Sequence, residues 1–335
     1  MRQLSARRLL VVLLAFAGAC SSAKTPAPTS SAATSATPEP QLRPSWSSAA
    51  PLPFPRTEVT VAALDGKVYV GGGLMSNGQA TNRVDVYDPA ANTWAVSVSF
   101  PAPLHHTSLL AANGRLYLVG GYRADGTATA KVWSRAPGEP TWRAEPSMPT
   151  ARGAFVGVVD GAGRIHAIGG ASRYEPLGHL IDVHEVFDPV AKTWTTAAPM
   201  PAPRDHAAGA LIGNTIVVAG GRNLSYTQNK ARVDLFDVDT GTWTQGPDLH
   251  TARGGIAAVS YGEHVFVFGG EGPSGTFAQV EDYDAATKSW GVAPDLPTPR
   301  HGLGAAKIGD RVYVIGGGPR PGVSVSGANE VLSLK

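Results

Sequence analysis

His105 and His106 are adjacent in a chain that contains only nine histidines. Imidazole titrates near neutral pH and ligates metals, so such a pair invites an acid–base or metal reading. Other residues able to do chemistry fall into columns. Arg56, Arg152, Arg204, Arg253 and Arg300 recur at intervals of roughly fifty residues or a multiple of it, and Leu104 fills the one vacant place. Asp85, Glu185, Asp234, Glu281 and Glu330 form a second column, with Lys131 at its exception. The arginines could form a positive rim for carboxylates or sugar acids, because the guanidinium presents a planar fork of donors. They could instead be fixed within each repeat. Arginine and acid are lost in the same unit, which favours two electrostatically coupled columns. His206 shares the register of His106, and His301 that of His105, but these positions lie in alternate units. Ligands of one ion must gather within about 4 Å of one another, so no metal site and no cofactor are expected here. Hydrogen bonding to a ligand remains open to these histidines.

Six segments of one kind impose this order: "VYVGGG" (68–73), "LYLVGG" (116–121), "IHAIGG" (165–170), "IVVAGG" (216–221), "VFVFGG" (265–270) and "VYVIGG" (312–317). Trp46, Trp94, Trp142, Trp194, Trp243 and Trp290 repeat at the same interval. Two markers with one period define an internal repeat. Each unit reads as four short strands. A small apolar strand comes first, and the second ends in the glycine pair, where a neighbouring unit must approach closely. A loop then leads to a third strand such as "RVDVYDP" (83–89), and a tight turn to the Trp strand. Asp88, Asp188, Asp237 and Asp284 open that turn, which suits a residue able to cap its own backbone. Trp133 is out of period and takes the third-strand aromatic place of Tyr87, Phe187, Phe236 and Tyr283.

The Gly-Gly doublet, the third-strand aromatic and the fourth-strand Trp make about 290 residues resemble the kelch repeat family. The resemblance implies an all-β, six-bladed kelch-type β-propeller. Its last unit stops at a third strand, "NEVLSLK" (329–335), while Trp46 precedes the first glycine pair. The N-terminal strand around Trp46 should therefore complete the last blade and close the ring. Within each blade, the start of strand one and the end of strand two then share a face with the long loops after the glycines. Loops on a rigid scaffold carry function, so the expected ligand-binding rim comprises Arg56, His105, His106, Arg152, Tyr174, Glu175, Arg204, His206, Arg222, Arg253, Glu271, Arg300 and His301.

The N-terminus reads as an address. Arg2, Arg7 and Arg8 precede an apolar run, "LLVVLLAFAGA" (9–19), too short to span a bilayer comfortably. The run ends at Cys20, the one cysteine of the chain, and "AGAC" resembles a bacterial lipobox with Ala17 in place of the usual Leu. Residues 1–20 are thus expected to be a lipoprotein signal peptide with Cys20 lipidated. Residues 21–44 are rich in Ser, Thr, Ala and Pro, too poor in large apolar groups to fold, and read as a tether. Residues 45–335 form the propeller. An exported protein, lipid-anchored to the bacterial cell envelope on its periplasmic or extracellular face, is the expectation.

Removing the three leader arginines from 28 basic residues leaves 25 against 26 acidic ones. Such a balance argues against nucleic acid, whose phosphates demand a basic surface. No G-x-S-x-G, H-E-x-x-H or P-loop sequence occurs, and "GGEGPSG" (269–275) leads to a loop rather than a helix. Propellers host many activities, and the resemblance leaves two open. One is a monomeric binding or interaction module for a protein or glycan, acting through the loop face. The other is a carbohydrate-active enzyme similar to the bacterial kelch mutarotases that interconvert sialic acid anomers. A copper radical oxidase of the galactose oxidase type needs a Cys–Tyr crosslink, and the propeller has no cysteine.

Overall fold

The computed structural model describes residues 43–174 and 177–335. The signal peptide, Cys20 and nearly all of the tether lie outside the described residues, as does Glu175. The described chain is a six-bladed β-propeller with no α-helix, and each blade is a four-stranded antiparallel sheet. Blade one contains Thr60–Leu64, Lys67–Gly71, Val84–Asp88 and Thr93–Val96. The other blades follow the same plan at the same period. Second strands such as Lys67–Gly71 and Thr215–Ala219 are buried after their first residue, because neighbouring blades cover both faces. Val, Ile and aromatic residues suit that double burial. Outermost strands such as Thr93–Val96 are exposed except for a half-buried Trp.

Ring closure occurs as expected. Ser45–Ser48 pairs antiparallel with Asn329–Ser333, placing Trp46 opposite Leu332 and making the N-terminal strand the outer strand of blade six. Each indole then ties its blade to the exit segment of the blade before it. Trp46, Trp94, Trp142, Trp194, Trp243 and Trp290 donate Nε1–H to the carbonyls of Pro294, Ala50, Val98, Pro146, Ala198 and Pro247, at 2.8–3.3 Å. Six bonds thus encircle the perimeter.

An inner ring explains the glycine doublets. The second glycine of each pair donates its N–H to the carbonyl of the next blade's column residue, as Gly73 does to Leu104 and Gly317 to Arg56. A Cβ on the first glycine would lie between 2.4 and 3.1 Å from that same carbonyl in every blade. The neighbouring blade's backbone is what excludes a side chain there.

The arginine and acid columns meet inside each blade. Arg56 bonds Asp85 at 2.9 Å, Arg152 bonds Glu185 at 2.5 Å and Arg204 bonds Asp234 at 2.7 Å, while Arg253 pairs with Glu281 and Arg300 with Glu330. These guanidinium groups also donate to backbone carbonyls; Arg204 reaches Gly220, Ala202 and Val218. All five arginines are at most 2% exposed. The rim expectation is therefore corrected for Arg56, Arg152, Arg204, Arg253 and Arg300. They are internal struts, because each finds its carboxylate in its own sheet. In blade two, Leu104 is buried in the apolar core and Lys131 is exposed, so neither charge is left inside.

Candidate functional site

The two residues after each column position form the mouth of the axial channel. The second of them is Glu58, His106, Ala154, His206, Gly255 and Gly302 in blades one to six. All six adopt the left-handed conformation, with φ between +51° and +69°. Their backbones form a hoop: Ala154 N–H donates to His106, His206 to Ala154, Gly255 to His206 and Gly302 to Gly255, at 2.9–3.0 Å. His106 N–H reaches Glu58 O at 3.4 Å, and Val59 N–H closes the circle onto Gly302 O at 3.3 Å. Glycine fits this conformation freely, whereas each other residue is strained by about 1–2 kcal/mol. Glu58, His106 and His206 are held there and directed into the channel. Ala154, Gly255 and Gly302 leave room beside them, in an axial cavity of about 90 Å³.

The small residue at 154 lets the histidines of alternate blades meet. The ring centroids of His106 and His206 are 4.7 Å apart, and Glu58 Oε2 lies 3.0 Å from His106 Nε2. The side-chain donors of Glu58, His106 and His206 all fall within 4.8 Å of one another. The expectation that alternate blades hold these histidines too far apart for one ion is therefore corrected: near the axis the blades converge, and the left-handed turn aims both side chains inward.

A second layer surrounds this triad. The residue following each glycine doublet bridges to the residue following the column position, pairing His105 with Tyr122, Asp205 with Arg222, Gly254 with Glu271 and His301 with Gly318. Asp205 Oδ2 accepts from His206 Nδ1 at 2.8 Å, and Arg222 Nη2 donates to His206 Nε2 at 2.8 Å. Those partners fix His206 as the neutral Nδ1–H tautomer. Arg222 Nη1 donates to Glu271 Oε1 at 2.6 Å. His301 Nδ1 donates to Gly318 O at 3.1 Å, leaving Nε2 at 3.5 Å from Glu58 and 3.6 Å from Glu271. His105 and His106 share a 2.6 Å bond between their Nδ1 atoms. The Tyr174 ring covers both, with centroids 5.1 and 5.2 Å away.

Burial sets the electrostatics. It pushes His105 down to about 3, reinforced by His106, and it lowers His206 with help from the Arg222 charge. For Glu58 burial acts upward, yet His106, His301 and His206 together hold its carboxyl well below the usual range. Asp205 is likewise held low against its burial by His206 and Arg222. The site thus keeps the carboxylates of Glu58 and Asp205 anionic and the imidazoles of His105 and His206 neutral, an arrangement able to receive a cation or exchange protons.

Of the expected rim residues, His105, His106, Tyr174, His206, Arg222, Glu271 and His301 come together here. His179, in the same loop as Tyr174, bonds Ser172 on the exposed rim and lies outside this group. Glu58, Asp205 and Tyr122 are additional members. They sit in the same columns as His106, His105 and Arg222, and writing those columns across all six units would have revealed them.

A propeller carrying Gly-Gly doublets, perimeter tryptophans and blade-internal Arg–acid pairs defines a class. Residues 106–317 match the KLHDC2/KLHL20/DRC7 Kelch-repeats domain, and residues 55–100 match the Kelch motif. The chain belongs to the kelch-repeat family. Kelch-like protein terF of Aspergillus terreus is 29% identical over 252 residues, 70% of this chain and 44% of that protein. The Rab9 effector protein with kelch motifs of Homo sapiens is 34% identical over 116 residues, 32% of this chain and 30% of that protein. The matches thus cover less than half the length of either relative. Among solved structures, that of YjhT superposes with a TM-score of 0.72 at 17% identity, covering 84% of this chain and 95% of that one. At that identity the likeness is one of fold.

Proposed function

We propose that this chain is an interaction module of the bacterial cell envelope, exported and lipid-anchored at Cys20, which binds a protein or glycan through its loop face. The observation that carries the reading is the apolar crown on the loops after the glycine doublets. Leu177 is 74% exposed, Val323 49% and Tyr226 37%, on the loops that follow the doublets of three different blades. Exposed apolar side chains rimmed by polar loops suit docking. The axial cavity, at about 90 Å³, has room for a few waters. Small-molecule pockets measure about 300–1,000 Å³, so an enclosed sugar finds little space.

The test immobilises the mature propeller and probes it with a glycan array and with solubilised envelope proteins. A discrete ligand should be retained and should be lost on Leu177→Asp, Tyr226→Asp, Val323→Asp triple substitution. Equal retention by the folded triple variant refutes the loop-face reading. The anchor is tested separately: Cys20→Ser should shift the protein from the membrane to the soluble fraction.

A second reading, an enzyme interconverting sugar anomers, draws support from the Asp205–His206 pair and from Glu58 beside His106. Ring opening needs a paired acid and base. Exchange between anomeric NMR signals of sialic acid, accelerated by the protein and abolished by His206→Gln, would favour it over docking alone.

A further inference from the structure

We propose that Glu58, His106 and His206 form a site on the propeller axis for one divalent transition-metal ion of the zinc class. Two imidazoles and one carboxylate with a remaining open position is a donor set that suits such ions. The ligands come from blades one, two and four, which the hoop draws together at the axis.

Three independent observations point to an ion. The first is an unused donor. His106 Nε2 is buried, lies beside Glu58 Oε2 at 3.0 Å, and has no aligned hydrogen-bond partner. The second is orientation. Asp205 holds His206 Nδ1 at 2.8 Å, the carboxylate–histidine relay that presents Nε2 to a metal. The third is charge. Among the described residues, this buried cluster sets Glu58, Asp205 and Glu271 against the single guanidinium of Arg222. A buried surplus of carboxylates is costly unless compensated, and one divalent cation offsets it.

The geometry needs little adjustment. Ligands about 2.0–2.1 Å from a tetrahedral ion lie about 3.3 Å from one another, and here the three donors fall within 4.8 Å. Drawing in by roughly an ångström, they enclose the ion in the adjoining cavity. At present Arg222 Nη2 donates to His206 Nε2. The ion takes the place of that bond, and the guanidinium keeps its bond to Glu271. The site is independent of the loop-face function, since no member of the apolar crown contributes to it.

The experiment strips the mature chain with a chelator and then loads it with zinc or cobalt. One equivalent per chain should remain after gel filtration. At free zinc one hundred times the dissociation constant, the folding equilibrium should shift about 100-fold toward the native state. X-ray absorption of the zinc-loaded wild-type chain should show two imidazoles in the first shell, a reading that requires no variant. Asp205→Asn should weaken affinity about 10- to 100-fold, and His106→Gln should weaken it further. His250→Gln, altering an exposed histidine remote from the axis, should change nothing. Sub-stoichiometric metal, a first shell without two imidazoles, or uptake governed by His250 rather than Asp205 would overturn the site.

Discussion

The paired Arg and acid columns make a quantitative prediction in blade three. Arg152 donates to Glu185 Oε2 at 2.5 Å and to the carbonyl of Val183 at 2.6 Å, with longer bonds to Gly169 and Thr150. Both partners are at most 2% exposed. In Arg152→Leu, the Glu185 carboxylate keeps only the Thr150 hydroxyl, at 2.8 Å, and a buried charge stands uncompensated. Breaking a buried pair from one side costs about 3–5 kcal/mol. At roughly 2–4 °C per kcal/mol for a chain of this size, Tm should fall by about 6–20 °C. The double variant Arg152→Leu, Glu185→Leu removes the charge as well as its partner. The Val183 carbonyl still accepts from Gly169 N–H at 3.2 Å, so the remaining loss is mostly that of weak acceptors.

Blade two already lacks both charges, with a buried Leu104 and an exposed Lys131. The double variant should therefore be more stable than Arg152→Leu alone, with a coupling energy of about 2 kcal/mol or more, within the range seen for contacting residues. Urea unfolding of wild type, both single variants and the double variant closes the cycle. Losses that simply add would refute the coupling and return the arginines to independent roles.

Removing the closing strand exposes the edge of Asn329–Ser333 and loses the Trp46 indole bond to Pro294. Deleting residues 44–50 should lower Tm markedly, and Trp46→Gly should cost about 3 kcal/mol or more; an unchanged melting curve rules out closure through this strand. Ala154→Gly relieves a left-handed backbone at φ +53° and should stabilise by about 1 kcal/mol. Gly302→Ala, whose new Cβ would meet Glu58 Oε1 and Thr57 Oγ1 at 2.5 Å, should destabilise, and opposite signs in chemical denaturation check both. Burial lowers His184 to about 3, below the ordinary value of about 6.5 in the unfolded chain. The folded state therefore binds fewer protons, and stability falls as pH drops from about 6.5 toward 3. At pH 5 this one group accounts for about 2 kcal/mol, so His184→Gln should flatten the pH 7-to-5 loss of stability by about that amount.

The fold was readable because its markers answer to the backbone. Gly72 and its five counterparts sit where the next blade's carbonyl leaves no space, and Trp46 and its counterparts meet a fixed acceptor on the preceding blade. Such constraints recur with the period and survive as sequence. The Arg–acid pairing was readable from blade two, where both members are missing. The axial triad was harder to find. His106 and His206 were in register, but their meeting depends on a distance, and on Ala154 between them being small. Glu58 shares their column and differs from them in chemical type, so a search for like residues passes over it.

This contrast bears on how a repeat protein acquires a site. Six alike turns place six residues around one axis, and the hoop of backbone bonds holds each turn whatever residue occupies it. Function then needs no new backbone, only unequal side chains. Where the ring holds Gly255 and Gly302 strain is low, and there and at Ala154 space remains. Where it holds Glu58, His106 and His206, strain is accepted and polar groups converge in that space. Ala154 separates the two effects. It shares the φ of its neighbours yet offers no polar group, so left-handed geometry belongs to the scaffold and the chemistry belongs to the three substituted positions. Substituting Ala154 with glycine should therefore leave metal binding at Glu58, His106 and His206 intact while raising stability, whereas a large residue such as Leu at 154 should separate the histidines and abolish binding. If Ala154→Leu retains stoichiometric zinc with two imidazole ligands, the convergence argued from that small residue is wrong.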